Sequence, residues 1–496
     1  MAFENSQAFV MESKKMVGSE QFESLCRIDV LAEKPIKKIV HISARPKIVS
    51  SEKVGENLDF TGRTAYTVVY ETEEGAIASV ETVIDWQNKT VCDIDNYYIC
   101  PKIVENTVSG FSANEVAISS LVNIEVYGVK QEKVLPITNL EEYVVNEKSY
   151  EYQKLVNSVK ETFNEVLELE HSGKIEEVLY SKGEILLKNA TAGIDNVCVE
   201  GELEIIVYGL ENGRIVELTK TAEFKHEFGA LSVVPNNMVD AVISLDSLKV
   251  SASINETDNK TNLIMSIENK VYALIYSKEF LSVVEDAFST KKETNATYEC
   301  VSMDTFDGQG RFTDTAVGSF DVDKELFEIC FALETKSVIS EVKKEQDSTK
   351  VIGATFVDLV CETESREKVK VQGVVPFAIS SNEIDKDDFV EIKSKVTSCK
   401  LRGQKEIEAV IEYDVQYKKM KNVCVNYLSQ IEETGESKDS LSAIKVYVVK
   451  ENEDLFSVAK AMLTSPEIIT AQNLGIEEEL REGMRVVVYN GLDISF

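Results

Sequence analysis

The sequence predicts a mainly β multidomain protein, with tandem antiparallel β domains and linking helices followed by a small βααβ domain. The chain has 496 residues, which is too many for a single hydrophobic core. One long strand pattern occurs three times, which indicates tandem domains rather than a solenoid of short repeats. Near the C-terminus the period-two alternation gives way to short stretches of helical spacing.

Each copy of the pattern opens with an alternating strand that contains a glycine. The three strands are residues 60–70, 199–208 and 351–361, and their glycines are Gly62, Gly201 and Gly353. Alternation at period two predicts one buried face, and a glycine inside a strand often marks a bulge or a close backbone approach.

Two further strands follow in each copy. The second ends on an aromatic residue, which is Trp86, Phe224 or Phe377. Pro376 places the second strand of the third copy at a sheet edge, because proline has no amide hydrogen for a central ladder. The closing strands, residues 116–127, 263–276 and 407–417, are long, so we expect a bend or bulge in each.

The spacing of apolar residues changes between the first and second copies. Apolar side chains recur three and four positions apart, at Tyr152, Leu155, Val156, Val159, Phe163, Val166 and Leu167. Gly173 follows as a suitable C-cap. The pattern predicts a linker helix that packs against a neighbouring sheet, and a helix that binds a partner is the alternative.

The C-terminal stretch combines short strands with short helices. Leu455, Val458, Ala459 and Met462 give one apolar helix face. Ser465 and Pro466 predict the start of a second helix, with the serine as N-cap. Gly483 turns the chain into a closing strand at 485–489.

This stretch resembles the LysM module in the order and spacing of its key positions. The matching residues are Leu455, Ile469, Asn473, Leu480, Gly483 and Val486. LysM modules form a shallow groove for N-acetylglucosamine polymers between the turn before the first helix and the loop before the last strand. Here Asn452-Glu453-Asp454 replaces the Gly-Asp-Thr of the LysM turn, and the second loop carries residues 477–479, all glutamate.

The strand order of the three copies is similar to that of the SPOCS domain of spore-coat proteins from endospore-forming bacteria. The predicted boundaries are 1–29 for an N-terminal segment, 30–145 for the first SPOCS-like domain, 146–171 for the linker helix, 172–290 for the second domain, 291–333 for a connecting segment, 334–430 for the third domain, 431–443 for a flexible linker and 444–492 for the LysM domain.

Three SPOCS-like domains followed by a LysM-like domain resemble clostridial spore-coat morphogenetic proteins of the SipL type. The resemblance implies a non-enzymatic adaptor in the mother-cell cytoplasm. Such an adaptor links the coat, and other coat proteins, to the forespore surface by binding the coat-basement ATPase through its LysM domain. The implied partner-binding residues are Asn452, Glu453, Asp454, Leu455, Leu474, Gly475 and Ile476.

Two other functions compete with this reading. The LysM-like domain could bind peptidoglycan or another N-acetylglucosamine polymer of the spore envelope. The SPOCS-like domains could instead build an oligomeric coat layer through sheet-edge pairing. The acidic loops favour a protein partner over a neutral sugar.

Composition excludes several classes of partner. The net charge of −33, from 53 basic and 86 acidic residues, repels nucleic acid and anionic lipid. No apolar stretch approaches the length of a membrane span, and the N-terminal residues lack a cationic start followed by an apolar core. We therefore expect a cytoplasmic protein without membrane insertion.

No motif predicts catalysis, a metal or a cofactor. The nine cysteines are scattered singly without a Cys-x-x-Cys pair, so buried, reduced thiols are expected. The histidines, His41, His171 and His226, have neither metal-ligand spacing nor a nucleophile beside them. The sequence contains no phosphate-binding Walker loop.

Overall fold

The fold is described from a computed structural model of the chain. The described residues are 9–94, 96–137, 140–255, 260–323, 325–345, 348–364, 368–384, 389–437, 444–476 and 480–489. Strands dominate them and form several antiparallel sheets, so the prediction of a mainly β chain is confirmed.

Three units of six strands share one topology. Repeat 1 contains β1 (Phe9–Asp29), β2 (Ile36–Val54), β3 (Asn57–Thr72), β4 (Ile77–Val91), β5 (Tyr97–Phe111) and β6 (Glu115–Val134). Repeat 2 contains β7 (Val144–His171), β8 (Glu177–Ala192), β9 (Asn196–Glu211), β10 (Arg214–Gly229), β11 (Met238–Asn255) and β12 (Lys260–Phe288). Repeat 3 contains β13 (Lys292–Asp321), β14 (Leu326–Lys344), β15 (Thr349–Thr363), β16 (Lys368–Ser381), β17 (Phe389–Arg402) and β18 (Glu406–Ser437).

Each repeat is a sandwich of two three-stranded sheets. The first, sixth and fifth strands form one sheet, which we call the terminal sheet, in the order β1-β6-β5 in repeat 1. The second, third and fourth strands form the central sheet, in the order β2-β3-β4. Alternate residues of both sheets point inward and bury an apolar core, which is how strands of period two are stabilised.

The C-terminal unit follows repeat 3 and consists of β19 (Ile444–Val448), α1 (Leu455–Met462), α2 (Pro466–Gln472) and β20 (Arg485–Tyr489). The two strands pair antiparallel. Ser465 caps α2, with Pro466 at its first turn, as the sequence predicted. Val458, Ala459 and Met462 are buried, which confirms the predicted apolar face of α1.

The predicted linker helix at 146–171 is wrong, because this segment is β7. It pairs along its length with β12, and a bulge leaves Val156 without a partner. An extra residue reverses the side-chain alternation, so Tyr152 before the bulge and Val159 and Phe163 after it are all buried. The resulting spacing imitates a helix, yet Val166, on the expected apolar face, is 62% exposed.

The other predicted connecting segments also contain strands. Residues 1–29 include β1, which pairs with β6, and residues 291–333 include β13, which pairs with β18. The first strand of every repeat therefore lies outside the predicted domain boundaries. Of the predicted flexible linker, 431–437 belong to β18 and 438–443 lie outside the described residues.

The glycines that define the sequence pattern face the aromatic residues that end the next strand. Gly62 pairs with Trp86, Gly201 with Phe224, and Gly353 with Phe377. A Cβ atom at Gly201 would lie 2.5 Å from the Phe224 ring and 2.1 Å from the Leu186 carbonyl oxygen. Each ring therefore covers bare backbone that only glycine provides, a known device for stabilising strand glycines. Pro376 lies in β16, which is an edge strand as predicted.

Each repeat contacts the other two at both sheets. The terminal sheets share an apolar cluster that includes Met11, Tyr152, Met303 and Tyr427. The central sheets share a second cluster, which includes Val40, Val69, Leu179, Tyr180, Tyr208 and Val360. The Tyr208 hydroxyl also donates to the Ala332 carbonyl at 2.6 Å. The three repeats are thus packed as one body.

Two polar side chains join successive repeats beside strand bulges. The Glu12 carboxylate of β1 accepts the Leu155 amide of β7 at 2.7 Å. The Gln153 side chain of β7 accepts the Phe306 amide of β13 at 2.9 Å and donates to the carbonyl of the same residue. A bulge leaves backbone groups out of the ladder, and these side chains satisfy them.

A buried ion cluster connects all three repeats. Asp240 of β11 is 4% exposed and contacts Lys14 of β1 at 3.4 Å and Lys418 of β18. Burial opposes ionisation of the carboxyl, but the two lysines outweigh it and hold the pKa of Asp240 below its ordinary value. The cluster therefore carries an ionised carboxylate at neutral pH.

Replacing Gly201 by alanine should destabilise the protein by about 1–3 kcal/mol, because the new methyl group must displace the Phe224 ring and strand backbone. Gly229→Ala is the matched control, since a Cβ there has no neighbour within 4 Å. The free energy of unfolding from urea titrations measures both. Equal values for the two variants would contradict the proposed close packing.

Asp240→Asn should lower the free energy of unfolding by about 3–5 kcal/mol, because it leaves two largely buried lysines without their counter-charge. Asp85→Asn is the control, since Asp85 pairs with Arg63 on the surface and its loss should leave the unfolding midpoint nearly unchanged. Urea unfolding at pH 7 checks both variants. A small effect at Asp240 would show that the repeats do not depend on this cluster.

Candidate functional site

The turn before α1 and the first residue of that helix hold four of the predicted partner-binding residues, and the three in the turn shape it. Asn452 has a positive φ of 61°. The Glu453 carboxylate accepts the Lys450 amide at 2.8 Å and the Tyr447 hydroxyl at 2.7 Å, and these bonds lower the pKa of Glu453. Asp454 is the N-cap of α1 and accepts the Ser457 amide at 2.7 Å. Both carboxylates therefore have structural partners.

The loop after α2 holds the other three. Leu474 is completely exposed, Gly475 adopts a positive φ of 83°, and Ile476 is buried at 4% exposure. Ile476 and the half-buried Leu455 belong to the same apolar core, so the structure brings these two predicted residues together. The glutamates at 477–479 lie outside the described residues.

Asn473 fixes the position of this loop. Its side-chain amide donates to the carbonyls of Ile469 at 2.9 Å and Val487 at 2.8 Å. Its side-chain oxygen accepts the Val487 amide at 2.9 Å. One side chain thus ties the end of α2 to β20 directly before the exposed Leu474.

An exposed apolar face on the strands of the C-terminal unit was not predicted. Ile444, Val446 and Val448 of β19 are 55%, 61% and 52% exposed, and Tyr489 of β20 pairs beside Ile444. We call these four residues the outer strand face. Both helices cover the other face of this two-stranded sheet, where Val486 and Val488 are buried. Alternation of β-branched residues over 444–448 was the sequence signal that could have identified it.

The C-terminal unit is docked on repeat 2 through α1. The Phe456 ring meets the Phe288 ring edge-on, with centroids 5.3 Å apart. Lys460 contacts the Asp286 carboxylate at 2.5 Å. These contacts engage the helix side of the unit and leave the outer strand face and Leu474 exposed.

A charged cleft of about 400 Å³ lies between repeats 2 and 3. Its lining includes Lys182, Glu184, Glu204, Tyr208 and Cys399. Lys395 bridges Glu184 at 3.2 Å and Glu204 at 3.4 Å, so both carboxylates already share a cationic partner within the protein. Burial raises the pKa of the Cys399 thiol to about 11, which disfavours the nucleophilic thiolate.

The three histidines lie at separate places in the fold. His226 contacts Glu165 at 2.6 Å, and His171 contacts Glu211 at 3.3 Å. His41 is 5% exposed in the interface between the central sheets, where its ring centre lies 5.0 Å from that of Tyr180. Across the described residues, no group of three or more His, Cys, Asp or Glu side chains is placed to hold a metal.

The prediction of buried cysteines holds for part of the set. Cys26, Cys92 and Cys361 are buried, whereas Cys300 and Cys424 are exposed. Both exposed thiols lie on the surface of the β13–β18 strand pair, where alternation places every second side chain in solvent. For these two the prediction is wrong.

Comparisons with family models, curated proteins and solved structures found no match to this chain. Neither helix within the described part of the chain is long and apolar enough to cross a membrane.

Because His41 is buried, the protein should become less stable as the pH falls from about 6.5 to 4. Burial, followed by the charge of Lys370, lowers its pKa to about 4. Within this window the unfolded chain binds a proton that the folded protein excludes, which corresponds to about 3 kcal/mol. His41→Phe should remove this contribution, so its unfolding free energy should fall less than that of the wild type between pH 7 and pH 4. Urea titrations at both pH values test this, and equal losses would contradict it.

Proposed function

We propose that this protein is a non-enzymatic adaptor of spore-coat assembly whose C-terminal unit is a LysM-type module that binds the coat-basement ATPase. The observation that carries the proposal is the exposed apolar surface of this unit, formed by Leu474 and the outer strand face. The strand and helix order and the Asn473 hydrogen bonds agree with the LysM resemblance.

The exposed residues favour a polypeptide partner over a sugar polymer. Ile444, Val446 and Val448 present aliphatic side chains in a row, and apolar area of this kind stabilises a complex when another apolar surface covers it. The carboxylates of Glu453 and Asp454 already accept backbone hydrogen bonds within the turn. Because the chain carries a net charge of −33, this aliphatic row suits a protein surface that combines apolar and basic residues.

The three repeats, as SPOCS-like domains, would supply the rigid part of the adaptor. Their shared clusters and the Asp240 ion cluster hold them as one body. We place the protein in the mother-cell cytoplasm at the forespore surface, where the repeats would contact other coat proteins while the C-terminal unit holds the ATPase.

Leu474→Asp should weaken binding of the purified ATPase at least about tenfold, because it places a charge at an apolar contact that must lose its water. Leu231→Asp is the matched control, since Leu231 is 76% exposed in repeat 2 and its loss should leave the affinity unchanged. Biolayer interferometry gives the dissociation constants, and a chain without residues 441–496 gives the value for complete loss.

Two results would contradict the proposal. Retained ATPase binding by the chain without residues 441–496 would assign the contact to the repeats. Co-sedimentation of the intact protein with purified peptidoglycan, lost on Leu474→Asp while the ATPase fails to bind, would assign the C-terminal unit to glycan recognition.

A further inference from the structure

The exposed cysteines Cys300 and Cys424 lie side by side on neighbouring strands. In the β13–β18 ladder Cys300 is opposite Asn426 and Cys424 is opposite Ser302, so the two cysteines are diagonal neighbours on one face. Their sulfur atoms are 2.7 Å apart. A disulfide needs a separation of about 2.05 Å, so a small side-chain adjustment would join them.

Solvent access distinguishes this pair from the other described cysteines. Cys26, Cys92 and Cys361 are buried, and three more are partly covered: Cys100, Cys198 and Cys399. Burial raises the pKa of the Cys26 and Cys399 thiols to about 11, and the hydrogen bond with Cys424 also raises the pKa of Cys300, so solvent access rather than acidity sets the pair apart. A water-borne oxidant therefore reaches Cys300 and Cys424 more readily than the rest.

Within the described residues, the pair lies where β13 and β18 are the two strands of the sheet. β17 pairs with β18 from Arg402 to Phe389, opposite Glu408 to Met420. Beyond Met420, β18 pairs with β13, in a stretch that we call the two-stranded ribbon (292–306 with 420–437). Two strands alone make weak sheets, and this ribbon depends on packing of Met303, Val425 and Tyr427 against the other repeats.

We propose that Cys300 and Cys424 are an oxidisable dithiol, which forms an intramolecular disulfide with a peroxide as oxidant and so ties the two-stranded ribbon together. One thiolate attacks a peroxide oxygen and breaks the O–O bond, which gives a sulfenic acid and, after proton uptake, one water. The second thiol attacks that sulfur, forms the S–S bond and releases a second water. Two thiols lose two electrons and two protons in total, and hydrogen peroxide is reduced to two molecules of water.

The location gives the bond a structural effect. Cys300 and Cys424 are 124 positions apart in the chain, so the bond closes a long loop and restricts the unfolded state. It also fixes β18, which is the last strand described before the C-terminal unit. Oxidation is therefore expected to reduce local opening of the ribbon.

The experiment treats the folded, full-length protein with hydrogen peroxide, alkylates the remaining thiols with iodoacetamide under native conditions and analyses peptides by mass spectrometry. The expected product is a monomer that has lost two hydrogens and yields one cross-linked peptide pair containing Cys300 and Cys424. Dithiothreitol should reverse it. Hydrogen–deuterium exchange in residues 292–306 and 420–437 should be slower in the oxidised form.

Cys300→Ser and Cys424→Ser, two exposed and nearly isosteric changes, should each abolish the cross-link and the slower exchange. Cys198→Ser, which removes a partly covered thiol of repeat 2, should retain both. Full alkylation of Cys300 and Cys424 after peroxide treatment, a cross-link between two chains, or loss of the cross-link in Cys198→Ser would each overturn the proposal.

Discussion

The buried carboxylate of Asp240 is the constraint on which the assembly of the three repeats depends. It lies on β11 of repeat 2, and its counter-charges come from Lys14 of repeat 1 and Lys418 of repeat 3. A carboxylate that loses its water is costly unless oppositely charged groups replace that water. No single repeat supplies those groups, so the charges are matched when all three repeats have docked. This arrangement couples the stability of one repeat to the presence of the others.

The topology strengthens this coupling. The first strand of each repeat pairs with its last, as the register from Phe9 and Val134 onward shows for β1 and β6. A repeat is therefore closed by contacts between residues far apart in sequence, which is typical of slowly folding β proteins. Glu12 and Gln153 then join that first strand to the next repeat at its bulge. The strand that closes one repeat thus also contacts the next repeat, which explains why the three repeats form one body instead of three separate domains.

The sequence predicted the central sheets better than the terminal sheets, for a physical reason. In the central sheets, a strand glycine and the aromatic residue that covers it leave a local signature, as Gly201 and Phe224 do. The first strands have no such signature, because their partners lie far along the chain and their alternation is interrupted. In repeat 3, for example, the separation runs from 85 positions between Asp321 and Glu406 to 145 positions between Lys292 and Ser437. The bulge at Val156 converted a period of two into an apparent helical period. A single extra residue, invisible as such in the sequence, was enough to turn the first strand of repeat 2 into a predicted helix.

The candidate site likewise contains features that the sequence predicted and one that it did not. Capping chemistry is local, so the sequence located the two turns that contain Asp454 and Leu474. Exposure, in contrast, depends on packing. The sequence around Ile444, Val446 and Val448 resembles any strand that buries one side. These side chains point outward because of where the helices and repeat 2 lie. Because α1 uses Phe456 and Lys460 to hold the unit against repeat 2, the aliphatic strand face is left without a neighbour in the described part of the chain. For the proposed adaptor this separation is useful: the helix side sets the orientation of the unit on a rigid body, and the strand side can engage a partner without disturbing that attachment.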